Sequence, residues 1–315
     1  ASPGSVRNAI HDLAGKGLLN IVHGKGTYVT GTVASSCLFE RKIANILVMM
    51  PSTPAIDSLR QMAFERGFLM SHYHTSQDGQ DPAVEQRLLD MARENDVSGV
   101  ILTPTPKSPT NPSLFKTLRL SGTKVLLTGR YAEHMPGESF LLPDFVGAAR
   151  VAVTRMALAE YEHFTCLNLS EESPFIPSRL LYKGYRETAA ELDLPMEHAL
   201  FHPFDERGPS RSFCEALASL PARTAILCKG ERQPSALRDL LRQCGQRVPA
   251  DIGIITVGSV YAPAPSGGIT CMQFDLQRLV QDALTYITDS DIGPEDAVQG
   301  LLKADFVPGT STMTL

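Results

Sequence analysis

Residues 82–103, PAVEQRLLDMARENDVSGVILT, contain the structural unit that this chain repeats, a helix followed by an apolar strand. Leu88, Leu89 and Ala92 are spaced to lie on the inner face of a helix that starts at Pro82. Residues 97–103 follow as a continuous apolar strand, which is typical of a parallel sheet covered on both faces. The stretch therefore predicts the α/β class.

The same alternation continues from residue 43 to residue 307. Further strands are predicted at residues 46–50, 68–74, 124–128, 164–169, 200–204, 224–228, 252–257 and 301–307. Further helices are predicted at residues 56–67, 113–120, 145–160, 177–193, 209–220, 233–244 and 275–289. About 270 residues are many for one such sheet, so we expect two lobes.

The first thirty residues have a different pattern. Ser2 can cap a helix that starts at Pro3, and Gly17 is a suitable residue to end it. Val6, Ala9, Ile10 and Leu13 form one apolar stripe along this helix. Residues 18–22 and 27–29 are predicted to pair as a hairpin around a glycine-containing turn. Residues 31–36 are small and polar, as in a flexible linker.

This segment resembles a known DNA-binding module. The matching residues are Ser2-Pro3-Gly4-Ser5-Val6-Arg7, Ala9, Leu13, Gly17-Leu18-Leu19 and Gly24-Lys25-Gly26-Thr27-Tyr28-Val29. They resemble the second half of the winged helix-turn-helix in the GntR family of transcriptional regulators, whose helix enters the major groove and whose wing touches the minor groove. The resemblance implies DNA contacts from Ser2, Ser5, Arg7, Asn8, His23, Gly24, Lys25, Gly26 and Thr27.

The GntR module has about two helices before this point, so the resemblance implies an N-terminally truncated DNA-binding domain. The 315-residue chain alone is accordingly expected to bind DNA poorly. The charge distribution agrees with a DNA-binding end. The whole chain carries −5, but residues 1–42 hold five basic and two acidic groups, which leaves −8 for residues 43–315.

A second resemblance extends along the large domain. It rests on residues 82–102, Lys183-Gly184-Tyr185-Arg186 with Ala189, Cys244-Gly245 with Val248-Pro249 and Asp251-Ile252, and Phe306-Val307 with Gly309-Thr310-Ser311-Thr312. These segments look like the effector domain of the LacI and galactose-repressor family, in the same order. The resemblance implies a periplasmic-binding-protein-like fold of two Rossmann-like lobes, three chain crossings, and a dimer formed through this domain.

The two resemblances together predict the domain organisation. A partial winged helix occupies residues 1–31 and a linker residues 32–42, and the ligand-binding domain covers residues 43–315. Lobe 1 is expected at about 43–143 and 259–290, and lobe 2 at about 144–258 and 291–315. The implied function is a cytoplasmic, ligand-responsive transcriptional repressor that binds an operator as a homodimer and senses a sugar or sugar-like molecule in the interlobe cleft.

Ligands of open α/β sheets bind at the carboxyl ends of the strands, so residues at predicted strand ends are the candidates. We expect ligand contacts from Ser52, Thr103, Arg130, Asp144, Asn168, Arg179, Lys229 and Ser259. Three positions depart from the family, because Leu181, Gly129 and Gly258 stand where it carries polar sugar anchors. The departures leave two alternatives, a less polar ligand and a cleft without tight ligand binding.

Other classes of function are compatible with parts of this sequence pattern. A solute-binding protein, or a small-molecule sensor that does not bind DNA, would share the two-lobed fold, and the fold alone does not exclude an enzyme. No catalytic constellation or phosphate loop is visible, and His72 and His74 form only a weak metal pair, so we expect neither an enzyme nor a cofactor. No stretch is long and apolar enough for a membrane helix, and six scattered cysteines indicate reduced thiols.

Overall fold

The computed structural model describes residues 3–15, 19–22, 26–29, 44–75, 81–104, 112–129, 137–202, 208–259, 261, 264–265 and 267–313. The chain divides into two compact units, Ala1–Ala44 and Asn45–Leu315.

The first unit contains the expected helix and hairpin. Helix α1 spans Pro3–Gly15, and strands β1 (Leu19–Val22) and β2 (Gly26–Val29) pair antiparallel. Val6 and Leu13, which belong to the predicted apolar stripe, are 48% and 38% exposed. The predicted helix cap at Gly17 lies outside the described residues.

The second unit begins with a six-stranded sheet, which forms lobe 1. Its strands are β3 (Ala44–Met50), β4 (Phe68–His74), β5 (Gly99–Leu102), β6 (Lys124–Thr128), β7 (Ser139–Pro143) and β12 (Gln299–Leu302). Their order across the sheet is β12-β7-β6-β5-β3-β4, and the pairs from β3 through β12 are parallel. Its helices are α2 (Pro54–Glu65), α3 (Pro82–Glu94), α4 (Pro112–Leu120) and α9 (Leu276–Thr288).

Lobe 2 contains a five-stranded sheet. Its strands are β8 (His163–Cys166), β9 (Thr224–Lys229), β10 (Ile252–Val257), β11 (Thr270–Phe274) and β13 (Ala304–Val307). Their order is β13-β11-β10-β9-β8, with β13 antiparallel to β11 and the other pairs parallel. Its helices are α5 (Phe145–Leu158), α6 (Ile176–Glu191), α7 (Arg211–Ala218) and α8 (Arg232–Gln243). The two-lobed α/β fold is therefore the predicted one.

The chain crosses between the lobes at Asp144, Asp275 and Lys303. Only the first crossing lies where it was expected, and the lobe boundaries near residues 258 and 290 are wrong. Strand β11 pairs with β10 and keeps residues up to 274 in lobe 2, whereas β12 pairs with β7 and keeps residues up to 302 in lobe 1. Because these pairings join residues far apart in sequence, local periodicity does not reveal them.

Three strand predictions also need correction. The strand predicted at residues 301–307 is two strands, β12 and β13, which belong to different sheets. Strands β7 and β11 were not predicted. The strand predicted at residues 200–204 is reduced to a single bridge between Leu200 and Leu167, within the part of that segment that is described.

The helix starts follow simple local chemistry. Proline occupies the first turn of α2 and α3, where a missing N–H costs nothing, and the Asp81 carboxylate accepts the Ala83 N–H at 2.8 Å. Gly67 follows α2 with φ +84°, a left-handed conformation that favours glycine. Every residue of β5, β6 and β10 is buried, as expected for strands with helices on both faces.

Candidate ligand-binding cleft

The parallel strands of both lobes present their carboxyl ends at the crossings, where open α/β sheets bind ligands. In lobe 1 the predicted residues Ser52 and Thr103 follow β3 and β5. In lobe 2, Asn168 lies just beyond β8, Lys229 ends β9, and Ser259 follows β10. The structure thus places these five residues at the sheet edges predicted for them.

A pocket of about 690 Å³ lies at this edge of lobe 2. Its lining residues are Asn168, Ser170, Glu172, Ser173, Pro174, Phe175, Ser178, Phe201, His202, Lys229 and Gln233. The Lys229 ammonium lies 3.0 Å from the Ser178 hydroxyl and 5.4 Å from the centroid of the Phe175 ring. Phe175 and Phe201 are 52% and 59% exposed, so the pocket combines apolar ring faces with polar donors.

Asn168 shapes this pocket through its backbone and its amide. Its φ of +55° is left-handed, a region in which asparagine is tolerated. The side-chain oxygen accepts the N–H of His202 at 2.8 Å, and the side-chain nitrogen donates to the His202 carbonyl at 2.7 Å and to Gln233 at 3.3 Å. The amide therefore holds the segment that carries Phe201 against β8.

In lobe 1, the matching edge is closed by a side chain from the segment between β10 and β11. Thr103 is 3% exposed, and its hydroxyl lies 2.6 Å from the Tyr261 hydroxyl and 3.4 Å from that of Thr128. Gly129, with φ +71°, lies under the same phenol. Tyr261 thus reaches from the lobe 2 sheet to two strand ends of lobe 1.

A further pocket of about 560 Å³ lies at the crossings. Thr53, Pro54 and Ala55 of lobe 1 line it together with lobe 2 residues that include Gln273 and Asp305. The Thr53 hydroxyl is buried and has no hydrogen-bond partner among the described residues. This pocket has polar atoms from both lobes, so a small ligand there would contact both.

Two predicted residues are engaged within the protein. Asp144 caps α5, and its carboxylate accepts the Gly147 N–H at 2.8 Å. The Ser259 hydroxyl accepts the N–H of Tyr261 at 3.1 Å, while the Ser259 N–H donates to Glu231 at 2.8 Å. Both residues hold the chain where it leaves a strand.

Arg179 does not join the pocket at Lys229. It lines a separate surface pocket of about 520 Å³ on α6, together with Tyr182 and Arg186, and its guanidinium donates to the Ser173 carbonyl at 3.4 Å. Helical geometry explains the separation, because the side chain that reaches Lys229 comes from Ser178, one position earlier and therefore on another face. Arg130 lies outside the described residues.

Packing accounts for the three departures from the family pattern. Leu181 is fully buried in the core of lobe 2. A Cβ added at Gly258 would lie 2.6 Å from the side-chain oxygen of Gln273, and one added at Gly129 would lie 2.8 Å from Cζ of Tyr261. Leu181 thus belongs to the core, and the two glycines leave room for the side chains of Tyr261 and Gln273.

Sequence reasoning did not single out Tyr261, Phe175, Gln273 or His202. Tyr261 stands in a stretch rich in Pro, Ser and Gly, which has no periodicity that would mark a buried side chain. The short strand β11, which carries Gln273, was not predicted. The signals that could have found two of them are Gly129 and Gly258, whose missing side chains leave room for Tyr261 and Gln273.

His72 and His74, the weak metal pair of the sequence, both contact backbone atoms at the end of β3. The His72 ring nitrogen Nε2 lies 3.0 Å from the Met50 carbonyl oxygen, and Nδ1 of His74 accepts the Ser52 N–H at 2.9 Å. Within the described residues, no three His, Cys, Asp or Glu side chains are grouped to hold a metal ion. None of the described helices is both long and apolar enough to cross a membrane.

The DNA-contact residues predicted on the first unit are only partly described. Ser5, Arg7 and Asn8 are exposed on α1, and Thr27 is exposed on β2. The backbone of Gly26 starts β2. Ser2, His23, Gly24 and Lys25 lie outside the described residues.

Comparison with known proteins identifies the large domain. The pattern of the periplasmic binding protein-like domain family matches residues 154–312, about half of the chain, so the chain belongs to this family. The structure is similar to that of the lac repressor dimer bound to operator and the anti-inducer ONPF, with a TM-score of 0.65 and 15% identity over 91% of this chain and 100% of that one.

Two further structures have the same fold. A LacI family transcriptional regulator from Enterococcus faecium, with bound ribose, has a TM-score of 0.61 and 16% identity over 86% of this chain and 99% of that one. A putative ribose operon repressor from Burkholderia thailandensis has a TM-score of 0.59 and 17% identity over 84% and 98%. At these identities the similarity shows the shared two-lobed fold.

Proposed function

We propose that this protein is a ligand-responsive transcriptional regulator, in which the two-lobed unit senses a small molecule and the first unit contacts operator DNA. The observation that carries the proposal is the pocket at the carboxyl edge of lobe 2, next to the crossings that join the lobes. The similarity to a repressor bound to its operator and to a regulator bound to ribose supports it. A regulator of this kind works in the cytoplasm, where the DNA is, and requires no catalytic group or cofactor.

The ligand is proposed to be a sugar or a sugar-like molecule. Lys229 and Ser178 offer polar contacts for hydroxyl groups, and the exposed faces of Phe175 and Phe201 match the apolar faces of a sugar ring. Asp144, Asn168 and Ser259 support the walls, whereas Ser52 and Thr103 lie at strand ends of lobe 1. Arg130 and Arg179 remain proposed contacts for a ligand that extends beyond the Lys229 pocket.

Signal transmission would use the three crossings. Because only Asp144, Asp275 and Lys303 join the lobes along the chain, a ligand that contacts both lobes alters their relative angle at small cost. A dimer converts this change into a change in spacing between two DNA-reading units, and operator half-sites require a fixed spacing. Ligand binding and DNA binding are then coupled, as repression requires.

DNA contact is proposed for the first unit. Arg7 is exposed on α1 and has a guanidinium that suits guanine or phosphate, and Ser5 and Asn8 are exposed on the same helix. Lys25 and Thr27 belong to the proposed wing, with His23, Gly24 and Gly26 in its turn and Ser2 at the start of α1. This segment is proposed to be the second half of a GntR-type winged helix.

The dimer is proposed to form through the second unit. Phe64 on α2 and Leu69 and Tyr73 on β4 are 68%, 47% and 39% exposed, and β4 is the edge strand of its sheet. An exposed apolar edge strand is normally covered by another chain or element. Sedimentation analysis should therefore show a dimer that Phe64→Glu converts to monomers, whereas Arg87→Glu on the exposed face of α3 should not.

DNA recognition is tested with the full-length protein. Selection from a random duplex library should enrich a sequence with two half-sites, and fluorescence anisotropy then measures its affinity. Arg7→Ala should weaken binding by about tenfold or more, and Arg87→Ala should have little effect. A sugar that raises the unfolding midpoint should also change the affinity for the operator.

Two results would overturn this proposal. One is a sugar that saturates the cleft and leaves the affinity for the operator unchanged. The other is ligand binding without enrichment of any DNA sequence, which would assign the chain to solute binding or to sensing without DNA.

A further inference from the structure

We propose that the Tyr261 side chain is a built-in occupant of the cleft at the ends of β5 and β6 in lobe 1, where it ties the lobes together without ligand and excludes the ligand from these strand ends. This inference depends on the proposed function in one respect, which is that the cleft is the ligand-binding site. Tyr261 belongs to the segment that connects β10 with β11, and both of these strands are in lobe 2.

The phenol of Tyr261 occupies the position that a ligand hydroxyl would take. Its oxygen lies 2.6 Å from the hydroxyl of Thr103, which in turn lies 3.4 Å from that of Thr128. These two threonines stand at the carboxyl ends of the neighbouring strands β5 and β6, the edge at which open sheets bind ligands. The Thr103 hydroxyl at this edge is thus directed at a protein hydroxyl.

Gly129 is adapted to this occupant. A Cβ at that position would lie 2.8 Å from Cζ and 2.9 Å from Cε2 of Tyr261, and closer still to its hydroxyl oxygen. A side chain at residue 129 and the phenol therefore exclude one another. The glycine at position 129 and the tyrosine at position 261 therefore depend on each other, because a polar anchor at residue 129 would occupy the space of the phenol.

The ring also joins the two hydrophobic cores. Tyr261 packs against the core of lobe 1, formed around β3 and α9, and against the core of lobe 2, formed around α5 and β11. It therefore supplies apolar contact and a hydrogen bond between the lobes in addition to the three covalent crossings. Since the ring covers the ends of β5 and β6, the open volumes left for a ligand are the pocket at Lys229 and the pocket at the crossings.

This assignment can be tested in two steps. Tyr261 is truncated to alanine, and a free phenol is then added to fill the space of the missing side chain. In the full chain, Tyr261→Ala should leave a cavity bounded by Thr103 and Gly129, which p-cresol fits in size and polarity. A cavity of this kind binds small aromatic molecules. We expect p-cresol to raise the unfolding midpoint of this variant saturably, by about 3 °C, and to leave the wild type unchanged.

Two controls separate the site from nonspecific binding. Tyr73→Ala removes an exposed tyrosine of β4 and should give no response to p-cresol. Toluene, which lacks the hydroxyl, should bind Tyr261→Ala more weakly than p-cresol, and adding Thr103→Val should abolish that difference. Small-angle scattering without ligand should show a larger radius of gyration for Tyr261→Ala than for the wild type, and p-cresol should reverse the increase.

A folded Tyr261→Ala protein that ignores p-cresol and keeps the wild-type radius of gyration would overturn the proposal. If Tyr261→Ala does not fold, Gly129→Ala is tested in its place. This variant keeps the phenol, but the added methyl group blocks the position that the phenol occupies. It should increase the radius of gyration, and an unchanged radius would overturn the proposal. Neither measurement uses DNA or a natural effector, so failure of the proposed regulatory function would leave this result intact.

Discussion

Gly184 of α6 lies directly against the backbone of Val146 in α5. A Cβ added at Gly184 would be 2.5 Å from the carbonyl oxygen of Val146 and 3.0 Å from the Cβ of Ala149. The next residue, Tyr185, donates its hydroxyl to the Phe164 carbonyl at 2.9 Å. The Gly-Tyr pair thus sets both the distance between the two helices and the anchoring of α6 to β8.

Gly184→Ala should separate α5 from α6, because a backbone oxygen cannot yield as a flexible side chain can. We expect the free energy of unfolding to fall by about 2 kcal/mol, in the range of overpacked cores. Urea denaturation followed by circular dichroism measures this loss. Lys183→Ala, one residue away and exposed, should change the free energy by less than about 0.5 kcal/mol. Equal effects of the two changes would contradict the packing argument.

The Asp144 cap gives a prediction that separates a structural role from ligand contact. Asp144→Ala leaves the Gly147 N–H without its partner and should lower the free energy of unfolding by about 1 kcal/mol. Asn caps helices as well as Asp does, so Asp144→Asn should cost much less. If Asp144 also binds the ligand, the Asn variant will keep its stability and lose ligand affinity in calorimetric titration. A cost as large for Asn as for Ala would argue against the cap.

Lys229→Met should reduce the affinity of a sugar ligand about tenfold or more, because the ammonium is a polar group of the pocket and makes charge-assisted hydrogen bonds. The methionine keeps most of the apolar stem, so the pocket should retain its shape. Isothermal titration with a sugar that stabilises the wild type measures the affinity. Lys116→Met on the exposed side of α4 is the matched control, and a similar loss of affinity there would contradict the assignment.

The Asp251–Arg247 pair predicts a dependence of stability on acidity. Hydrogen bonds from the Arg247 side chain and backbone N–H lower the pKa of Asp251 to about 2. A lowered carboxylate pKa contributes stability that is present above the ordinary value near 4 and is lost as the pH falls through about 2. Asp251→Asn should therefore reduce the slope of urea midpoint against pH between pH 4 and pH 2. Asp57→Asn, in the exposed pair with Arg60, is the control, and equal slopes in the wild type and Asp251→Asn would contradict the assignment.

The buried cysteines should resist thiol reagents in the native protein. Burial raises the pKa of Cys166 to about 12 and also raises the pKa of Cys228 and Cys271, so few thiolates form at pH 8. Labelling with a chromogenic disulfide, followed by peptide mass analysis, should leave these three unmodified while Cys214 reacts. In guanidinium chloride all six cysteines of the chain should react. Fast native labelling of Cys228 would contradict its burial in the sheet of lobe 2.

The sequence by itself determined the α/β class, the positions of most helices and strands, and the strand-end location of Asn168, Lys229 and Thr103. These properties depend on hydrophobic periods of two or 3.6 residues and on caps such as Asp81, which operate over a few neighbouring residues. The short strands β7 and β11 are not predicted, because the five residues of each carry too weak a hydrophobic period.

Only the tertiary structure decided which sheet each late strand joins, and with it the crossings at Asp275 and Lys303. It alone placed Arg179 apart from Lys229 and brought Tyr261 over Gly129, 132 positions earlier in the chain. Such contacts depend on long-range strand pairing and on the volume left between two packed cores. A side chain that fills space in a distant lobe leaves no local pattern in the sequence, except the small residue that makes room for it.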